Sequence, residues 1–274
     1  MHLNKTIIGA LHFSPMIGYE GFEGYDAVLK KARADLKAFV DGGVDAVIFE
    51  NNYDLPHKIK VSPETITMMT RLILELTNDE ESKMSSSKIP FGISVLWNDY
   101  EAALTIAKIT GAGFIRVPVF VDAVRTDFGE IHPTPKDVLR IREELRAENI
   151  KIYTDIHVKH ASLLSKKNIT EPAVLAIENK SDGLIITGKW TGEAPDISAL
   201  KEVRAKVGDF PIIIGSGCDK NNIKELFRYA DGAIVSTSLK EGDPKNASEE
   251  RNIKSYDKRI IAEKVKDFVK AARI

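Results

Sequence analysis

The chain has 274 residues with 39 Lys and Arg against 40 Asp and Glu, and its net charge of -1 gives no global field to attract a nucleic-acid backbone or an anionic membrane surface. A single cysteine, Cys218, excludes a disulfide framework and a multi-thiolate metal site. With no run of ~18 apolar residues to cross a bilayer, these properties predict a soluble cytoplasmic protein folded as one domain over residues 1–274.

From the N-terminus, short β-branched runs alternate with amphipathic stretches. Strand-like segments fall at residues 6–11, 45–50, 90–96, 114–119, 151–156, 183–187, 211–215 and 232–236, each mostly apolar, as a strand covered on both faces must be. Helical periodicity fills 25–41, 63–77, 99–110, 135–148, 171–179, 196–206, 220–229 and 257–272, with Asp99 and Asp196 placed as N-caps. Strand-first order repeated eight times predicts an α/β fold, a single (β/α)8 barrel of the TIM type. Turns containing Asp45, Asp182 and Asp231 beside glycines precede three of the strands and read as connections on the N-terminal face, without chemistry. The polar stretch 78–88 reads as a mobile loop on that same face.

Barrel active sites are assembled from the loops that follow strands, so the polar residues just past each strand are the candidates. Five of the six histidines stand there. His12 follows the first strand, and the second ends in Glu50 and Asn51, a carboxylate suited to acid/base work or metal binding or, as a structural alternative, to an ion pair with a lysine inside the barrel. Asn98 follows the third strand as a ligand contact. Arg116 interrupts an apolar fourth strand and must pair with a carboxylate or reach an anion. The long segment 120–133, with Asp127 and His132, reads as a lid. Along the fifth strand, period-2 alternation puts Asp155, His157 and Lys159 on one side, with His160 off the pattern. These three would supply metal binding or orientation, proton transfer, and charge stabilisation or imine formation, unless Asp155 merely pairs with Lys159. Glu50 and Asp155 are the candidate ligands of a divalent metal. Thr191 lies in a glycine-bracketed loop, 188–192, that would close over a ligand. Gly215, Ser216 and Gly217 after the seventh strand, with Thr237, Ser238 and Lys240 after the eighth, form a predicted phosphate cradle of backbone N–H groups and hydroxyls.

Gly9-Ala10-Leu11-His12, Glu50-Asn51, Asn98-Asp99, Phe114-Ile115-Arg116-Val117, Asp155 with Val158-Lys159-His160, Gly215-Ser216-Gly217 and Thr237-Ser238-Leu239-Lys240 together resemble the BtpA/SgcQ family, over about residues 5–270. The chain departs from that family's pattern at Trp97, Pro118 and Phe128, where arginine, asparagine and glutamine are usual, and at His57, which stands for another aromatic. The resemblance implies a phosphate-binding TIM barrel. It points to an enzyme acting on a phosphorylated sugar or nucleoside-like metabolite by aldol-type cleavage, isomerisation or hydrolysis, with Glu50, Asp155, His157 and Lys159 as acid/base or electrophilic groups. It also allows a non-catalytic assembly or stability factor for a membrane complex such as photosystem I, or a metabolite sensor. A homo-oligomer is expected for such a barrel.

Overall fold

The computed structural model describes residues 3–81, 84–165, 167–188, 192–242 and 257–273. In chain order the elements are β1 (Thr6–His12), α1 (Tyr25–Gly42), β2 (Ala46–Glu50), α2 (Pro63–Asn78), α3 (Met84–Ser87), β3 (Phe91–Ser94), α4 (Tyr100–Thr110), β4 (Phe114–Val117), β5 (Val124–Thr126), β6 (Gly129–Ile131), α5 (Pro135–Glu144), β7 (Lys151–Ile156), β8 (Ser162–Leu163), α6 (Thr170–Glu178), β9 (Gly183–Ile186), α7 (Ile197–Val207), β10 (Ile212–Ile214), α8 (Ile223–Leu226), β11 (Gly232–Val235) and α9 (Ala262–Ala272), with a 3-10 turn at Thr237–Leu239. Eight of the strands close a parallel barrel in the order β1-β2-β3-β4-β7-β9-β10-β11, and β11 returns to β1 from Thr6↔Gly232 to Gly9↔Val235. Each corresponds to a strand expected from the sequence.

Alternation along the strands divides the core in two. Ile7, Leu11, Val47, Phe49, Ile115 and Val117 pack outward against the helices. Ile8, Ala46, Ile48, Phe114, Tyr153, Ile185, Ile213 and Ile234 fill the barrel. Gly92 is needed inside, because a Cβ there would lie 2.2 Å from the Phe114 ring. Two residues further along four of the strands the inward positions turn polar: Glu50 after Ile48, Arg116 after Phe114, Asp155 after Tyr153 and Ser236 after Ile234. The barrel therefore has an apolar floor and a charged layer below its C-terminal mouth.

The aspartates of the N-terminal turns hold strands together. Asp45, Asp182 and Asp231 each accept a hydrogen bond from the backbone N–H of a neighbouring strand, at Ile7 (2.8 Å), Ile152 (3.0 Å) and Ile212 (2.8 Å). Asp99 and Asp196 cap α4 and α7 as expected, accepting from the N–H groups of Ala102 and Ser198. Two expectations need correction, and the segment read as a lid has a defined form. The stretch after α2 is not a plain loop, because Met84 is buried and seeds α3. The seventh helix shrinks to the single turn α8. The segment 120–133 is a β5–β6 hairpin that β8 extends to three antiparallel strands over the mouth.

Candidate active site

A cavity of about 950 Å3 opens at the C-terminal mouth. At its base Arg116 holds two carboxylates. Its Nε and Nη2 each donate to Asp155 at 2.8 Å, a bidentate pair, and Nη1 donates to Glu50 Oε1 at 3.3 Å. His12 Nε2 lies 3.2 Å from the other Glu50 oxygen. Burial opposes the charge on Glu50, but the His12 hydrogen bond and the Arg116 charge outweigh it and hold the pKa down at about 2. Burial lowers the His12 pKa to about 4, so near neutrality the ring donates Nε2–H to Glu50 and keeps its lone pair on Nδ1. That Nδ1 is buried and has no partner among the described residues.

Lys159 lines the same cavity. Burial first, then repulsion from Arg116, lowers its pKa to about 8 against the attraction of Glu50 and Asp155. Lys240 lies across the mouth and donates to the Tyr53 hydroxyl at 2.6 Å, while the Tyr53 ring meets His12 edge-on at 5.9 Å. Burial also lowers Lys240 to about 8. Tyr53 thus links the charged layer to the β11 loop. It was not singled out from the sequence, although its place three residues past Glu50 was a usable signal.

Around Lys240 the cavity wall is formed by Gly215, Ser216, Gly217, Thr237 and Ser238. Thr237 and Ser238 open the 3-10 turn, where the first N–H groups have no intrahelical acceptor. The two serine hydroxyls are otherwise engaged. Ser238 Oγ donates to the Cys218 carbonyl at 2.7 Å, and Ser216 Oγ accepts from Gly188 N–H at 3.1 Å and donates to the Glu193 carbonyl at 3.0 Å. The Cys218 thiol is buried and pushed up, which makes it a poor nucleophile.

The opposite wall is apolar and aromatic. Trp97 and Val158 belong to one buried cluster, Phe128 packs on it, and the His57 ring meets Phe128 edge-on at 5.3 Å. Asp127 and Phe128 are the two turn residues of the β5–β6 hairpin, between the paired Thr126 and Gly129, and both reach the cavity. The departures from the family pattern, His57, Trp97, Pro118 and Phe128, all line the cavity.

Of the residues expected from the sequence, His12, Glu50, Arg116, Asp127, Lys159, His160, Gly215, Ser216, Gly217, Thr237, Ser238 and Lys240 line it. Others are displaced. β7 ends at Ile156, and His157 takes a left-handed φ of 53°, so the alternation stops there and His157 does not line the cavity. Asp155 has a fully buried side chain beneath Arg116, its partner in place of Lys159. Asn51 and Asn98 act as stitches between loops. Asn51 accepts from Leu96 N–H at 2.6 Å, and Asn98 accepts from Val119 N–H at 2.8 Å while donating to the Val119 carbonyl at 3.0 Å. His132 is exposed on the hairpin. Thr191 lies outside the described residues. The pairing of Glu50 and Asp155 as metal ligands does not fit, because all four of their oxygens already face Arg116 or His12. Among the described residues no three His, Cys, Asp or Glu side chains cluster as a metal set, and no helix is long and apolar enough to cross a membrane.

Comparisons with known proteins agree with this architecture. Photosystem I biogenesis protein BtpA of Synechocystis sp. is 37% identical over 240 residues, covering 86% of this chain and 81% of that protein. The sgc region protein SgcQ of Escherichia coli (strain K12) is 34% identical over 240 residues, covering 86% of each chain. Among solved structures, N-(5'-phosphoribosyl)anthranilate isomerase from Pyrococcus furiosus matches with a TM-score of 0.55 at 14% identity over 99% of both chains. Tryptophan synthase of Mycobacterium tuberculosis matches with a TM-score of 0.58 at 14% identity, over 98% of this chain and 93% of that one. At such identities these structures establish the TIM-barrel fold. The BtpA family model matches residues 3–267, and the chain belongs to the BtpA family.

Proposed function

We propose that this protein is an enzyme acting on a phosphorylated sugar or nucleoside-like metabolite, with Lys159 attacking a substrate carbonyl and His12 carrying the proton. The observation that carries this reading is the Lys159 amine, which lines the cavity with no ion pair among the described residues, in the field of Arg116, Glu50 and Asp155. A pKa near 8 leaves roughly a tenth of the amine neutral at pH 7, several hundred-fold more than for an ordinary lysine. In an aldol-type cleavage the neutral amine adds to the carbonyl carbon and water departs. The electrons of the breaking C–C bond then flow into the protonated imine, giving an enamine, as His12 Nδ1 takes the proton of the hydroxyl that becomes the new carbonyl. Isomerisation would use the same two groups. Glu50 holds the His12 tautomer, and Arg116 and Asp155 hold Glu50.

The opposite end of the cavity receives the phosphate. Its wall of small residues lets a ligand approach the backbone N–H groups of the β10 and β11 loops, and Lys240 adds positive charge. Borohydride reduction in the presence of phosphorylated aldoses and ketoses should trap a covalent adduct on Lys159, read by peptide mass spectrometry, and Lys159→Arg should abolish it. Absence of an adduct across the panel would remove the imine and leave hydrolysis.

The similarity to a relative named for photosystem I biogenesis favours a second reading, an assembly factor for a membrane complex. Co-purification with such a complex, undiminished by Lys159→Arg, would transfer the conclusion to it.

A further inference from the structure

The cavity is chemically lopsided. Near Lys240 it presents small residues and backbone N–H groups, and below it the charged layer of Glu50 and Arg116, while the side toward the β5–β6 hairpin is formed by rings and aliphatic groups. A sugar phosphate alone uses only the first two regions. At about 950 Å3 the space lies at the upper end of what a drug-sized ligand needs.

The apolar side is a built surface. Trp97, Val158 and Phe128 pack together, His57 abuts Phe128, and His160 is close enough to lower the affinity of His57 for a proton. Burial keeps both imidazoles neutral near pH 7, each with a pKa of about 4. The Nδ1 of His57 is buried and has no partner among the described residues. A buried ring nitrogen without a partner at the edge of an aromatic wall calls for a hydrogen-bonding group from a ligand.

We propose that His57, Trp97, Phe128, Val158 and His160 form a subsite for a planar heteroaromatic ring with a hydrogen-bonding group on its edge, carried by the same ligand whose phosphate lies at the β10 and β11 loops. This rests on the phosphate reading above and narrows the substrate class to compounds of the nucleotide type, ring plus sugar phosphate. The hairpin tip gives the subsite its outer edge, because Phe128 is half-buried in a two-residue turn that reaches the cavity. A ring sliding beneath it gains an aromatic neighbour, whereas a ring-free sugar phosphate does not reach it.

Calorimetry of the full chain with inorganic phosphate, ribose 5-phosphate and 5'-nucleoside monophosphates tests the two readings separately. The expected result is that all three classes bind, that the nucleoside monophosphates bind at least tenfold tighter than ribose 5-phosphate, and that Phe128→Ala removes roughly three- to tenfold of that gain. His57→Phe keeps a ring in place but removes the ring nitrogens, and should weaken the nucleoside monophosphates several-fold while leaving ribose 5-phosphate unchanged. Ribose 5-phosphate binding as tightly as every nucleoside monophosphate, or a gain untouched by both substitutions, would overturn the subsite and leave the phosphate reading standing. Failure of inorganic phosphate and ribose 5-phosphate to bind would overturn the phosphate reading and, with it, the anchor of this proposal.

Discussion

Arg116 is the residue on which the site turns. Three charges, on Arg116, Asp155 and Glu50, are buried together, and the arrangement is tolerable because the guanidinium fork satisfies both Asp155 oxygens and one of Glu50. His12 completes the set as a neutral donor. Its burial makes folding sensitive to acid. In the unfolded chain it takes up a proton near pH 6.5, and in the folded chain near 4. Between those values the unfolded state binds more protons, so His12 favours folding fully above pH 6.5 and this contribution is lost as the pH falls toward 4, with a slope of up to ~1.4 kcal/mol per pH unit. His57 and His160 are shifted the same way and steepen the loss. Glu50 remains ionised over most of this window; its own contribution is present above 4.5 and lost as pH falls toward about 2. Urea midpoints should therefore drop from pH 7 to pH 4.5, and His12→Gln should flatten the drop. An unchanged profile in that variant would contradict the assignment.

At the scale of elements, adjacent loops are held by side chains that look functional in one dimension. Asn51 ties the β2 loop to the β3 loop, and Asn98 ties the β3 loop to the β4 loop. Gly217 shows the same displacement of role. Its φ is 71°, and a Cβ there would sit 2.1 Å from the backbone of Glu193 and Ala194 in the β9 loop. Glycine is required because another chain segment passes close by, so a substitution acts on that segment before it acts on a bound anion. Gly217→Ala should cost about 1–3 kcal/mol in urea unfolding, the scale of a strained left-handed residue, and should speed hydrogen exchange in the segment 192–196. Equal stability and equal exchange in the variant would show that the β9 loop yields freely.

For the whole molecule, the C-terminal helix packs across the seam where β11 returns to β1. α9 lies on α1, with Val265 where a Cβ on Gly42 would meet it at 2.3 Å, and Phe268 is buried beneath while also touching the cavity. Phe268→Ala should destabilise the protein by ~3–5 kcal/mol in chemical denaturation, and a loss below ~1 kcal/mol would show that α9 is dispensable to closure. The eight-fold alternation was readable in the sequence because buried parallel strands leave apolar β-branched runs that no solvent-facing segment imitates. Glu50 was placed at the mouth because it ends the second strand, Arg116 was singled out as a charge in an apolar run, and alternation was applied to the fifth strand. It failed at His157, where the strand had already ended and a left-handed residue turned the chain. It also did not reveal which partner Asp155 takes, or that Tyr53 bridges to Lys240 187 residues away, or that a hairpin tip and the β3 loop form one aromatic wall. Periodicity is a property of neighbours along the chain and so can be read from it. Ion pairing, loop stitching and the two-sided character of the cavity arise between segments far apart in sequence, and only the closed barrel brings them within reach of one another.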